Sequence, residues 1–180
     1  MTHYRQVMKR LALLFLTGLA LAQTPRDHIG PTLRRGILGL PFYGPFDWVT
    51  YRVTGSTVTL LGATVRGEIR SGAEELAARI PGVARVVNLI DVLPLGWVDD
   101  ETRYYVYHAI VRRPPMRRYA GQGPDCALHI LVKNGHVTLE GRVSHENDKH
   151  LAAAQARRVR GVYSVKNNLL VEGPVARHDP

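Results

Sequence analysis

Cysteine is almost absent: Cys126 is the single one in 180 residues, so no disulfide can form within the chain. It lies too far along the chain to carry a lipid at an exported N-terminus, and it reads as a small buried apolar residue at the start of a strand. Acidic residues are also few, 15 against 24 Lys and Arg, for a formal net charge of +9. That balance favours anionic partners. Long apolar runs are missing. The longest uncharged apolar stretch, Leu11 to Ala22, has twelve residues, too short to cross ~30 Å of hydrocarbon as a helix. The motifs of common catalysis are missing too: no G-x-S-x-G step, no H-E-x-x-H run, no phosphate-cradling glycine loop. These absences argue against an enzyme, a cofactor and a resident metal.

The N-terminus reads as a secretory signal peptide over residues 1–22. Arg5, Lys9 and Arg10 form a positive start, the apolar run follows, and Ala20 and Ala22 complete an A-x-A cleavage pattern before Gln23. Cleavage there removes three positive charges and leaves +6 on the remainder. The expectation is a periplasmic or secreted protein, peripheral to a membrane if it touches one. Export and a modest charge also argue against nucleic acid as a partner.

The strongest signal is an internal repeat. Val58-Thr-Leu-Leu-Gly62 recurs as Val137-Thr-Leu-Glu-Gly141, 79 residues on. The same offset pairs Val53 with Val132, Gly82 with Gly161, Val83 with Val162, Val86 with Val165, Asn88 with Asn167 and Val92 with Val171. It also pairs Ala73, Ala77 and Ile80 with Ala152, Ala156 and Val159. The chain is a tandem duplication.

Two copies constrain one local reading. Leu128, Ile130 and Val132 alternate with Ala127, His129 and Leu131, the period of a half-buried strand. Asn134-Gly135 then marks a tight hairpin, because both residues tolerate positive φ. Gly55-Ser56 marks the matching hairpin between strands 49–54 and 57–62. Ala73, Leu76, Ala77 and Ile80 follow at helical spacing, as do Ala152, Ala156 and Val159. Ser71 with Glu74 suggests a capping box for the first of these helices and Ser144 a cap for the second. Gly82 and Gly161 fit the left-handed residue that ends a helix. Final strands are expected over 83–93 and 162–172, parallel to a hairpin strand. A leading helix is expected over 102–113, with Asp99 and Asp100 at its start, Val106 and Ile110 on its apolar face and Pro114-Pro115 after it. Its weaker counterpart, around 31–40, is interrupted by Gly36 and Gly39. The predicted fold is α+β: two tandem α-β-β-α-β modules, each a three-stranded mixed sheet covered on one face by two helices. The boundaries read as 27–93 and 99–173, with a tail over 174–180.

This pattern resembles the BON domain, a bacterial module with a V-x-L-x-G step, a helix, and then G-V-x-x-V-x-N-x-L-x-V. Val58, Leu60 and Gly62 match the first part, as do Val137, Leu139 and Gly141. Gly82, Val83, Val86, Asn88, Ile90 and Val92 match the second, with Ile90 in place of Leu; Gly161, Val162, Val165, Asn167, Leu169 and Val171 match it again. The resemblance implies a non-catalytic, exported protein of the bacterial envelope, with paired domains that bind phospholipid or attach to membranes, in envelope maintenance or stress.

Two segments are candidates for that contact. Arg112-Arg113-Pro114-Pro115-Met116-Arg117-Arg118-Tyr119 sets four guanidinium groups beside one apolar and one aromatic side chain. Arginine suits phosphate, and Met116 and Tyr119 suit shallow insertion; a solvated loop that merely ends the helix is the plainer alternative. A second basic cluster, Arg157, Arg158 and Arg160, closes a helix, where the dipole favours positive charge anyway. The first copy carries instead an aromatic, nearly uncharged loop, with Phe42, Tyr43, Phe46 and Trp48. Exposed, it would dock another envelope protein; buried, it would pack between the modules. His136, His145 and His150 have no ligand spacing and correspond to Thr57, Arg66 and Ser71 in the first copy, so they read as solvated surface residues.

Overall fold

The computed structural model describes residues 26–94, 96–121 and 126–172. The expected signal peptide and the C-terminal tail lie outside the described residues.

The first module begins with a short 3-10 turn at Arg26–His28, which runs into α1, Ile29–Leu38. The hairpin strands β1, Trp48–Thr54, and β2, Thr57–Thr64, follow. Helix α2, Gly67–Ala78, crosses over to β3, Arg85–Val92. β2 is central, antiparallel to β1 and parallel to β3. Val58, Leu60 and Ile90 on one face of the sheet are buried with Ile29, Leu33 and Ile37 of α1 and Ile69, Ala73 and Ala77 of α2. Both helices therefore cover the same face. The leading helix is continuous through Gly36. A Cβ at that position would lie 2.3 Å from Leu76, so this glycine permits close helix–helix contact and does not break the helix.

The second module repeats this plan. Helix α3, Trp97–Val111, leads to a 3-10 segment at Pro114–Tyr119. Strands β4, Leu128–Lys133, and β5, His136–Val143, form the hairpin, and α4, Glu146–Ala156, crosses over. The final strand is divided into β6, Ser164–Asn167, and β7, Leu170–Val171, both parallel to β5 in one register. The expected single strand is thus interrupted at Asn168 and Leu169. The hairpin turns follow their residues: Asn134 and Gly135 both have positive φ, as a type I′ turn requires, whereas Gly55 alone does in the first module.

Two sequence-derived caps are corrected. Ser71 lies inside α2, where its hydroxyl donates back to the Gly67 and Glu68 carbonyls; Glu74 instead accepts a bond from Asn88. The helix starts earlier because β2 ends at Thr64, whose hydroxyl accepts the Arg66 amide. Ser144 makes no side-chain cap at α4. Its amide donates to the Tyr119 hydroxyl at 2.8 Å, and that hydroxyl donates to Asp148 in the first helical turn at 2.6 Å.

The repeated glycines and asparagines hold the same geometry in both copies. Gly62 and Gly141 have φ of 118° and 115°, and a Cβ would sit 2.0 Å from the Trp48 carbonyl and 2.1 Å from that of Ala127. No side chain fits where the hairpin strands approach so closely. Asn88 donates to the Arg70 carbonyl and accepts the Ile90 amide. Asn167 does the same with Lys149 and Leu169. Each asparagine therefore pins the last strand to the crossover helix.

Gly141→Ala is expected to destabilise the protein by about 2–4 kcal/mol through positive φ and collision with backbone. Gly67→Ala, in open space at the start of α2, should be neutral or slightly stabilising. Urea denaturation of both variants checks this, and a loss under about 1 kcal/mol for Gly141→Ala would mean the strand crossing relaxes freely.

Candidate functional site

Helix α3 is unusual in what it buries. Asp99, Thr102, Arg103, Val106 and Ile110 recur at helical spacing and face inward. Asp99 accepts the Asn134 and Gly135 amides at 2.7 and 2.9 Å, which ties the helix start to the β4–β5 turn. Arg103, only 1% exposed, donates to the Val132 carbonyl at 2.8 Å and pairs with Asp100. Burial pulls its pKa down, against the nearby carboxylates of Asp100 and Asp99. These anchors consume the inner face at the N-terminal half of the helix. Its apolar groups are turned outward: Trp97 is 79% exposed, and Val98, Tyr104 and Tyr105 are about half exposed.

The outward aromatics form a connected surface. The Tyr104 ring lies 5.6 Å from Tyr105 and 4.2 Å from His108, centroid to centroid. A groove of about 770 Å3 is lined by Trp97, Tyr104, Tyr105, His108 and Arg112 of the α3 segment and by Val159, Arg160 and Gly161 of the turn after α4. The helix then delivers the chain to the arginine-rich segment. Arg112, Arg113, Arg117 and Arg118 are all exposed. Arg113 donates twice to Gln155, and Arg118 donates to the Pro115 carbonyl.

Met116 and Tyr119 do not join them. Met116 is fully buried and Tyr119 nearly so, in the core of the second module. The segment is a 3-10 helix, whose three-residue repeat places positions 116 and 119 on one side. That side faces inward, so the expected shallow insertion of these two residues is incorrect. The exposed aromatics nearest the segment are those of α3, which share a groove with Arg112. A signal for them was present in the sequence: Tyr104 and Tyr105 fall off the face marked by Val106 and Ile110.

The aromatic loop of the first module is corrected as a docking surface. Tyr43 is buried, and its hydroxyl accepts the Val49 amide. Phe46 packs on the second module's core and meets Tyr107 edge-on at 6.1 Å. Trp48 lies 4.8 Å from the His129 ring. Phe42 alone is open, 76% exposed at φ 65°, with Arg66 over its ring. The loop therefore packs between the modules. Asp47 holds it in shape by accepting the Gly44 and Val65 amides at 3.1 and 3.0 Å and the Thr64 hydroxyl.

His129 is the centre of this junction and is 1% exposed. It projects from the sheet face opposite the helices, where it is covered by the loop that follows α1. Its Nδ1 lies 3.3 Å from the Gly44 carbonyl. Cys126 lies beside it, buried, with its thiol donating to the Leu128 carbonyl. Burial lowers the His129 pKa and pushes the Cys126 thiol up to about 12. Both groups are therefore held neutral, and a neutral thiol is a poor nucleophile. His136 and His145 bond to Ser164 and Asp148, and His150 lies 3.4 Å from the Glu146 carboxylate. Among the described residues no group of three or more His, Cys, Asp or Glu is gathered to hold a metal. Among them, too, no helix is long and apolar enough to cross a membrane.

Against this geometry, comparison with known proteins is informative at the level of the family. The sequence pattern of the BON domain matches residues 49–94 and 126–173, more than half of the chain, and the chain belongs to the BON domain family. Each match begins at the first hairpin strand, so α3 lies outside both. Comparison with curated proteins gives no match. Among solved structures, the chain is similar to the C-terminal domain of CdsD, a structural protein of the type III secretion system of Chlamydia trachomatis. Identity is 10%, with 83% of this chain and 98% of that one covered and a TM-score of 0.29. A second CdsD structure gives 11% identity, 82% and 93% coverage, and a TM-score of 0.30. Scores this low carry no weight for function.

The junction predicts a pH response. Burial keeps the folded-state pKa of His129 below its ordinary value of about 6.5, so the unfolded chain takes up that proton first as pH falls. Stability contributed by neutral His129 is therefore complete above about pH 6.5 and declines below it. His129→Phe keeps a ring against Trp48 and Tyr43 but removes the proton. Its denaturation midpoint should fall less steeply between pH 7.5 and 5 than that of the parent; equal slopes would remove His129 from the pH response.

Proposed function

We propose that this protein is a non-catalytic envelope protein whose second module seats on an anionic phospholipid surface. The observation that carries the reading is the outward face of α3, where Trp97, Tyr104 and Tyr105 stand exposed beside Arg112. Aromatic rings with a polar edge and an apolar body suit the boundary between headgroups and acyl chains. Arg113, Arg117 and Arg118 extend the charge away from the helix end. Each arginine near an anionic surface contributes about 1 kcal/mol, and burial of one large aromatic adds roughly 2 kcal/mol. The total, about 6 kcal/mol from four arginines and Trp97, corresponds to reversible binding in the tens of micromolar, as expected of a peripheral protein.

Family membership supports the same reading, since the BON domain implies an exported, envelope-associated protein. The N-terminal residues 1–22, with their positive start and apolar run, are in keeping with export. The thiol of Cys126, kept protonated by burial, argues against nucleophilic catalysis at that residue.

Co-sedimentation with vesicles tests the proposal. The protein should bind anionic vesicles at low salt, bind zwitterionic vesicles weakly, and dissociate by about 0.5 M salt as the charges are screened. Replacing Arg112, Arg113, Arg117 and Arg118 together by Ser should weaken binding about a thousand-fold, and Trp97→Ser about thirty-fold. No binding to anionic vesicles at low salt would reject the reading, as would a four-arginine variant that binds like the parent.

A further inference from the structure

A second concave region lies between the two modules and is lined by no residue of α3. It is a cleft of about 480 Å3, within the range of roughly 300–1,000 Å3 typical of small-molecule sites. The first module supplies Ile37 and Leu38 from α1 and Trp48 from β1; the second supplies Leu170 from β7. These side chains give the cleft apolar walls. Its inner end is formed by Tyr43, Cys126 and His129, all buried and none charged in the folded state. Two exposed cations line it, Arg34 of α1 from the first module and Arg142 of β5 from the second. Arg34 makes no ion pair with a described acid. Arg142 has Glu172 at 3.8 Å, an exposed contact too long for a hydrogen bond and weak in water. Glu172 is the single acid among the lining residues.

We propose that this cleft binds one amphipathic anion, an alkyl chain ending in a carboxylate or phosphate. The chain lies along Ile37, Leu38, Trp48 and Leu170, and the head group is held between Arg34 and Arg142. An uncharged inner end accepts a chain without stranding a polar group, whereas the paired arginines select the sign of the head. The walls come from both modules, so the site exists only when the tandem pair is joined as it is here. No residue of α3 contributes, so binding in the cleft is independent of any membrane contact through that helix.

The protein's two tryptophans separate the sites: Trp48 lines the cleft and Trp97 the α3 groove. In the intact chain carrying Trp97→Phe, titration with dodecanoate kept monomeric should produce a saturable change in Trp48 emission. Acetate, an anion without a chain, should produce none. Dodecyltrimethylammonium, the same chain with a cationic head, should bind at least about ten-fold more weakly, and Arg34→Gln with Arg142→Gln should weaken dodecanoate by about ten-fold or more. Both arginines are exposed, so these variants should fold, which circular dichroism checks. The proposal is overturned if Trp48 does not respond, if the cationic chain binds equally well, or if the arginine variant is unaffected. It is also overturned if only Trp97, read in Trp48→Phe, responds; that result would return the ligand to the α3 face. Failure here leaves vesicle binding untouched, and failure of vesicle binding leaves this titration untouched.

Discussion

The Pro45 carbonyl accepts the Ile130 amide at 2.7 Å, and much of the arrangement of the molecule depends on that contact. β4 is an edge strand, and an edge leaves backbone donors and acceptors open to unwanted pairing. The loop that follows α1 covers part of this edge. His129 and Phe46 add contacts on either side, the first to the loop backbone and the second to the core of the next module. Lys133 adds an exposed ion pair to Asp91 at 2.7 Å, which contributes little on its own. Once the loop is docked, the two sheets stand in a fixed relation. The cleft beside Trp48 is a consequence of that relation, and so is the burial of His129 and Cys126.

The duplication has kept one set of residues and released another. What is kept is backbone geometry: the glycine where the hairpin strands approach, the glycine after the crossover helix, and the asparagine that binds the last strand to that helix. Each meets a constraint that few other residues can meet, so both copies hold it. What has diverged lies on either side of that frame. Position 47 is an aspartate whose carboxylate organises a loop, whereas 79 residues later it is Cys126, which accepts burial as a neutral thiol. The first copy uses its aromatic loop to join the modules. The second copy uses a 3-10 segment to close its own core and leaves its arginines outside.

Helix α3 shows how burial of charge shapes a surface. Asp99 and Arg103 are turned inward because the β4–β5 turn presents amides to the carboxylate and the Val132 carbonyl to the guanidinium. A helix has only one inner face, and polar groups fill half of it here. Trp97, Tyr104 and Tyr105 are displaced to the solvent side as a result. The proposed surface contact rests on these exposed aromatics.

The repeat, the order of elements and the parallel crossover were legible in the sequence, because strand alternation, turn residues and a fixed offset are local properties that two copies state twice. Family membership followed from the same residues. The caps were misread at Ser71 and Ser144, since a hydroxyl near a helix start is only a candidate until the strand before it is seen to end. The arginines were legible as an exposed basic cluster, but Met116 and Tyr119 were not legible as core, because the three-residue period of a 3-10 turn differs from that of a loop or an α-helix. The exposed face of α3 was legible in part, since Tyr104 and Tyr105 fall off the face marked by Val106 and Ile110, whereas the inter-module cleft was decided by tertiary structure alone. Both depend on which neighbour satisfies a buried polar group: Asp99 by the hairpin turn in one case, the Ile130 amide by the Pro45 carbonyl in the other. Sequence spacing fixes which residues share a face, and only packing determines whether that face meets protein or solvent.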